Sequence, residues 1–148
     1  MNVCEPIPPS VIDAFLDRTR DRCPGASVAD PKGTVEDQGA RWRDMGLRPG
    51  DVVALALPNG ISLLRHFFGV LAAGGVPALV APNAPAARLH RLTAALGARA
   101  IVAAHVPRDT EGLERHENHG RMHVGLFTPA GDPAANPGEV ILLTSGTS

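Results

Sequence analysis

Apolar residues in this chain fall into two patterns that take turns. Val52-Val53-Ala54-Leu55-Ala56-Leu57 is an unbroken apolar run, which predicts a strand covered on both faces, as in a parallel sheet. Residues 76–80 and 99–104 predict two more strands, and 139–143 predicts a last one. Between the runs, apolar residues recur at helical spacing. Ile61, Leu64, Phe68 and Leu71, widened by Leu63, Phe67 and Val70, predict a helix to about residue 73. Asn59 or Ser62 is its candidate cap, and Gly74-Gly75 stops it. Leu89, Leu92 and Leu96 predict a helix over 86–96, closed by Gly97. Residues 36–45 predict a helix ending at Gly46, with Trp42 as a packing residue. Residues 10–20 predict another, with Ser10 as N-cap and Val11 and Phe15 on one face.

Elsewhere the pattern weakens. Residues 27–29 predict a short strand and 30–33 a turn. Residues 105–138 are polar and rich in proline and glycine, which predicts loop with one short helix near Leu113 and one short strand near Val124. No internal repeat or low-complexity tract interrupts the series. Strands that alternate with helices of this length give an α/β fold, a parallel sheet with flanking helices joined by right-handed crossovers.

Composition narrows the class of function. A length of 148 residues is one domain's worth, and 44% hydrophobic against 20% charged residues suits a globular chain with a core. The net charge of -1 and an aromatic content of 3% exclude a nucleic-acid binder, which needs cationic phosphate contacts and stacking platforms. Cys4 and Cys23 form no CxxC and read as free thiols in a reducing compartment. Glu5, Asp13 and Asp17 leave no apolar leader, and the apolar stretch 67–81 is shorter than the ~20 residues a membrane span needs. The expectation is a cytoplasmic protein with no membrane partner.

Candidate chemistry lies at the end of the chain. The last predicted strand runs without a gap into Thr144-Ser145-Gly146-Thr147-Ser148. Glycine lets successive N–H groups converge on an anion, and serine and threonine add rotatable hydroxyls. In an open parallel sheet, ligands bind beyond the carboxyl ends of the strands, where this segment falls. On the residues alone, an ordinary Ser/Thr/Gly turn explains the segment more simply. It is not the GxxxxGK[ST] phosphate loop, since both spacing and lysine are missing.

A longer pattern surrounds this segment. Ile141-Leu142-Leu143-Thr144-Ser145-Gly146-Thr147-Ser148 resembles the first half of T-S-G-[ST]-[ST]-G-x-P-K-G, the phosphate-loop signature of AMP-forming acyl-adenylating ligases. These include acyl-CoA synthetases, luciferases and peptide-synthetase adenylation domains. Upstream, Gly46-Leu47-Arg48-Pro49-Gly50-Asp51-Val52-Val53, then Leu57-Pro58-Asn59, then Leu71-Ala72-Ala73-Gly74-Gly75-Val76-Pro77 resemble the family's G-x-x-P-G-D-x-V … P-N … A-G … P block in order and spacing. Residues 87–102, with Leu96-Gly97-Ala98-Arg99, resemble the helix and strand that follow. The segment between Thr34 and Gly46 is shorter than the family's helix there, and the G-x-P-K-G half of the loop is absent from the sequence.

The resemblance implies that residues 1–148 are the N-terminal part of an AMP-binding adenylation domain, interrupted within the phosphate loop. It implies that Thr144, Ser145, Gly146, Thr147 and Ser148 contact the β- and γ-phosphates of ATP. Mg²⁺ is the implied metal of the parent reaction, a carboxylic acid its substrate, and coenzyme A or another thiol the acyl acceptor. The polypeptide alone is expected to be inactive, and to need a C-terminal portion or to self-associate. The alternative is a non-catalytic remnant that binds nucleotide weakly or serves as a protein-interaction module.

Other constellations carry less. His116, His119 and His123 have an H-x2-H-x3-H spacing beside Glu114 and Glu117; a solvated polar loop explains them better than a zinc site. His66 is expected on the exposed edge of its helix, and His90 and His105 are isolated. No nucleophile set can be assembled and GxSxG is absent.

Overall fold

The computed structural model describes residues 13–14, 34–106, 110–119, 122–129 and 131–143, with the side chain of His119 outside them. Of the helix predicted over 10–20, only residues 13 and 14 are described, and both are helical. Cys4, Cys23, the strand predicted at 27–29, the turn at 30–33 and the segment 144–148 lie outside the described residues.

The first described helix, α1 (Val35–Asp44), begins at a capping box. Thr34 accepts from the Asp37 N–H at 3.0 Å, and Asp37 accepts from the Thr34 N–H at 3.1 Å. Glu36 and Asp37 in the first turn and Arg41 and Arg43 in the last suit the helix dipole. Then come β1 (Val52–Ala56), α2 (Ile61–Ala72), β2 (Val76–Leu79), α3 (Ala86–Leu96) and β3 (Ala100–Ala103). The series closes with β4 (Leu113–His119), β5 (Met122–Phe127) and β6 (Ile141–Leu142).

The strands form one sheet in the order β4-β5-β3-β1-β2-β6. Its β3-β1-β2-β6 part is parallel, as the apolar runs predict, with Ala54 opposite Ala78 on one side and Ile101 on the other. Every residue of β1 is buried. Right-handed crossovers out of β1 and back past it must put α2 and α3 on opposite faces, and the packing agrees. Trp42, Leu47 and Val70 bury Val53, Leu55 and Val102 on one face. On the other, Leu89 and Leu92 pack against Ala54, Ala56 and Ile101. Helices α1 and α2 approach closely at glycine: a Cβ on Gly69 would stand 2.7 Å from Gln38 Cβ.

Several expectations are corrected. Among the described residues, no helix forms near Leu113. Residues 113–119 are the edge strand β4, antiparallel to β5, which itself pairs antiparallel with β3. After Leu113 its residues are polar at successive positions, so no period-2 apolar pattern marks it; Arg115 and Glu117, two apart on one face, pair at 3.0 Å. The polar loop expected around the histidines is therefore a hairpin. The N-cap of α2 is Gly60 rather than Asn59 or Ser62, with no capping side chain. The most buried face of α2 carries Arg65, His66, Gly69 and Val70, while Leu64, Phe68 and Leu71 are half-buried. His66 is thus buried, not at an exposed edge, because α2 turns that face to the sheet and α1. Among the described residues, no helix is long and apolar enough to cross a membrane.

Candidate functional site

The site is assembled by strand direction. Strands β1, β2, β3 and β6 run the same way, so the chain leaves all four at one end of the sheet. From β1 it passes through Pro58-Asn59-Gly60 into α2, and from β2 through Pro82-Asn83-Ala84-Pro85 into α3. The β2–β6 register, Ala78 opposite Ile141 and Leu79 opposite Leu142, brings Leu143 out beside those turns. Val80 continues the sheet there, donating from its N–H to the Leu55 carbonyl at 3.1 Å.

The electrostatics of that end are set by backbone. Neither Gly60 nor Pro85 places a capping side chain on its helix, and the first turns of α2 and α3 carry no acidic residue. Each helix start therefore presents partial positive charge and N–H groups at the carboxyl end of the strands. Helix α1, with its capping box and two acids, differs. Two such helix starts beside one strand exit favour a polyanion over a cation.

Thr144, Ser145, Gly146, Thr147 and Ser148 follow Leu143 directly but lie outside the described residues. The strand that leads to them differs from expectation in one respect. Its apolar run Val140-Ile141-Leu142-Leu143 is the pattern of a buried strand, yet Val140 is 41%, Leu142 67% and Leu143 40% exposed. Among the described residues, β6 is the outermost strand and has a neighbour only in β2.

The other candidates are placed as follows. His116 and His123 bring their rings to 5.2 Å across the hairpin, with His105 6.2 Å from His123. His116 Nε2 lies 3.1 Å from the Val106 carbonyl. Among the described residues, no group of three or more metal-ligating side chains is placed to hold an ion. Sequence reasoning missed two adjoining cavities of about 390 and 320 Å³ between α3 and the sheet, which share His90, Thr93, Glu111 and Phe127. The larger opens among Arg48, Asp51, Gly97 and Arg99, which precede β1 and β3, so it lies at the amino end of the parallel strands. Arg99 there is buried, donates to the Phe127 carbonyl and stands 3.7 Å from Glu114. Only the proximity of Gly50-Asp51 and Gly97-Arg99 to strand starts hinted at such a space.

Residues 34–146 match the family model described as AMP-binding enzyme. The chain belongs to the AMP-binding enzyme family. This agrees with the ligase resemblance carried by Gly46–Pro77 and by the segment after β6. Among curated relatives, 4-coumarate-CoA ligase 1 of Narcissus pseudonarcissus is 33% identical over 108 residues, covering 72% of this chain and 18% of that protein. Salicyl-AMP ligase / salicyl-S-ArCP synthetase of Mycobacterium tuberculosis (strain ATCC 25618 / H37Rv) is 34% identical over 82 residues, covering 55% of this chain and 14% of that protein. The chain thus spans less than a fifth of either relative. The Klebsiella oxytoca NpsA N-terminal subdomain, solved in complex with 3-hydroxybenzoyl-AMSN, superposes with a TM-score of 0.47 at 19% identity, over 90% of this chain and 29% of that one.

Proposed function

We propose that this chain carries the ATP-phosphate-binding beginning of a carboxylate-activating ligase. The observation that carries the reading is the exit of β6. It is held in register with β2, so Leu143 leaves the sheet at the end where α2 and α3 start without a capping side chain, and Thr144-Ser145-Gly146-Thr147-Ser148 follow it in sequence. Backbone N–H groups and hydroxyls of that segment meet the β- and γ-phosphates. The substrate carboxylate attacks the α-phosphorus, the bond to the bridging oxygen breaks, and pyrophosphate leaves with that charge. A thiol, coenzyme A or a carrier-bound one, then displaces AMP from the acyl-adenylate. Mg²⁺ would neutralise polyphosphate charge in such a reaction. The two curated relatives are named for 4-coumarate and salicyl substrates, which favours an aryl carboxylic acid over an amino acid.

The 148-residue polypeptide alone does not complete this chemistry in our reading. Lys32 is its only lysine and precedes the matched region, so the signature's lysine is not supplied by this sequence. ATP–pyrophosphate exchange by the purified chain, run with benzoic, cinnamic and fatty acids, is expected to stay at background. Exchange clearly above background with any of them overturns the inactivity.

A further inference from the structure

The route into β6 is pinned at one point. Residues 131–140 cross from β5 at one side of the sheet to β6 at the other. On the way they pass under the turn before β1. The Ala135 N–H donates to the Gly50 carbonyl at 3.1 Å. Gly50 in turn donates from its own N–H to the Gly74 carbonyl at 2.9 Å, so the seat is tied to the turn before β2. A Cβ on Gly50 would lie 2.4 Å from the Ala135 carbonyl oxygen and 3.1 Å from Pro133 Cβ. The first distance is far inside contact with a backbone atom that has no rotamer to yield. Gly50 also has φ +87, where L side chains are strained. Beyond the seat, Ala135 packs, as Ile141 does, against the cluster of Val52, Val76 and Ala78. An Asn136–Glu139 turn then aims the chain into β6: the Asn136 N–H donates to Glu139 Oε2 at 3.3 Å and its amide to Oε1 at 3.1 Å.

These contacts are few, and β6 is short. Two residues paired on one side, with Leu142 largely exposed, do not hold a strand in register by themselves. We propose that Gly50 is a positioning residue for the candidate phosphate segment. By seating Ala135, it fixes where β6 docks on β2 and hence where Leu143 leaves the sheet. The proposal rests on the phosphate-segment reading for its functional meaning, but its structural half stands apart from it.

The test is residue-resolved hydrogen exchange on the 148-residue chain. In the unsubstituted chain, the hydrogen-bonded amides of β6 are expected to be protected; their full exposure would overturn the proposal. Gly50→Ala is expected to speed β6 exchange about tenfold or more while β1–β3 amides keep their protection, the signature of local rather than global opening. Gly112→Ala is the control. Gly112 also has positive φ (+80), but its nearest neighbour is Phe127 Cδ1 at 3.9 Å, so this variant bears the backbone strain without a blocked seat. It should leave β6 protection unchanged relative to β1–β3. Should Gly50→Ala fail to fold, Ala135→Pro decides, since it removes the donated N–H and leaves Gly50 intact. Release of β6 alone supports the seat; unchanged β6 protection, or equal loss throughout the sheet, overturns it. A tripolyphosphate titration of the unsubstituted chain separates the two readings: an intact seat with no phosphate response sinks the phosphate assignment only.

Discussion

Asp51 is a buried carboxylate whose contacts set its importance. It is 2% exposed and accepts from the Arg48 N–H at 2.7 Å, Arg48 Nε at 3.3 Å and Arg48 Nη2 at 3.1 Å. Arg48 is more open, with 39% of its side chain exposed. The pair is therefore asymmetric. Removing Asp51 leaves a guanidinium that water can reach, whereas removing the Arg48 side chain leaves the buried carboxylate with the 2.7 Å bond from the residue-48 N–H but no countercharge. Arg48→Ala is expected to cost about 3 kcal/mol, and Asp51→Asn about 1–2 kcal/mol, near the loss of a charged hydrogen bond. Chemical denaturation of the two variants checks the order; Asp51→Asn as the more costly would contradict it. The role of Asp51 was legible only as part of a Pro-Gly-Asp turn. Its partner was not, because both side chains of the pair sit in the turn itself and leave no periodic trace. Trp42 was legible, since a lone tryptophan on a short helix has little to do but pack. His66 was not: the stripe of leucines and phenylalanines on α2 outweighed it in any hydrophobic count, although the helix buries the face with Arg65, His66 and Gly69.

At the scale of elements, the parallel strands and α1–α3 stand within a residue or two of their predicted bounds. Unbroken apolar runs and leucine spacing are strong local signals. The hairpin of β4 and β5 was half missed, because β4 reads Leu-Glu-Arg-His-Glu-Asn-His and is held by its neighbour's backbone rather than by an apolar face. Strand β6 shows the opposite failure. Its composition predicts burial, but its place at the edge exposes Val140, Leu142 and Leu143. An apolar edge with unpaired backbone groups invites a further strand. The 148-residue chain is accordingly expected to self-associate through β6. Leu142→Lys, a charge at an edge position, should shift sedimentation toward monomer without lowering the melting temperature. Unchanged association in this variant would remove β6 as the contact.

For the whole molecule, the sheet has two ends of different character. At the amino end of the parallel strands, three of the charges lining the cavity, Arg48, Asp51 and Arg99, are engaged with each other or with backbone. At the carboxyl end, two uncapped helix starts and the exit of β6 converge with no acid among their first turns. In the function we propose, topology, not any single residue, makes the second end the place for a polyphosphate. The direct measurement is an amide NMR titration of the 148-residue chain with tripolyphosphate and with ATP. Shifts concentrated at Thr144, Ser145, Gly146, Thr147 and Ser148, with smaller ones at Gly60, Ile61 and Ala86, are the predicted result. Shifts confined to the cavity around Arg99, or no response at residues 144–148 in excess ligand, would contradict it.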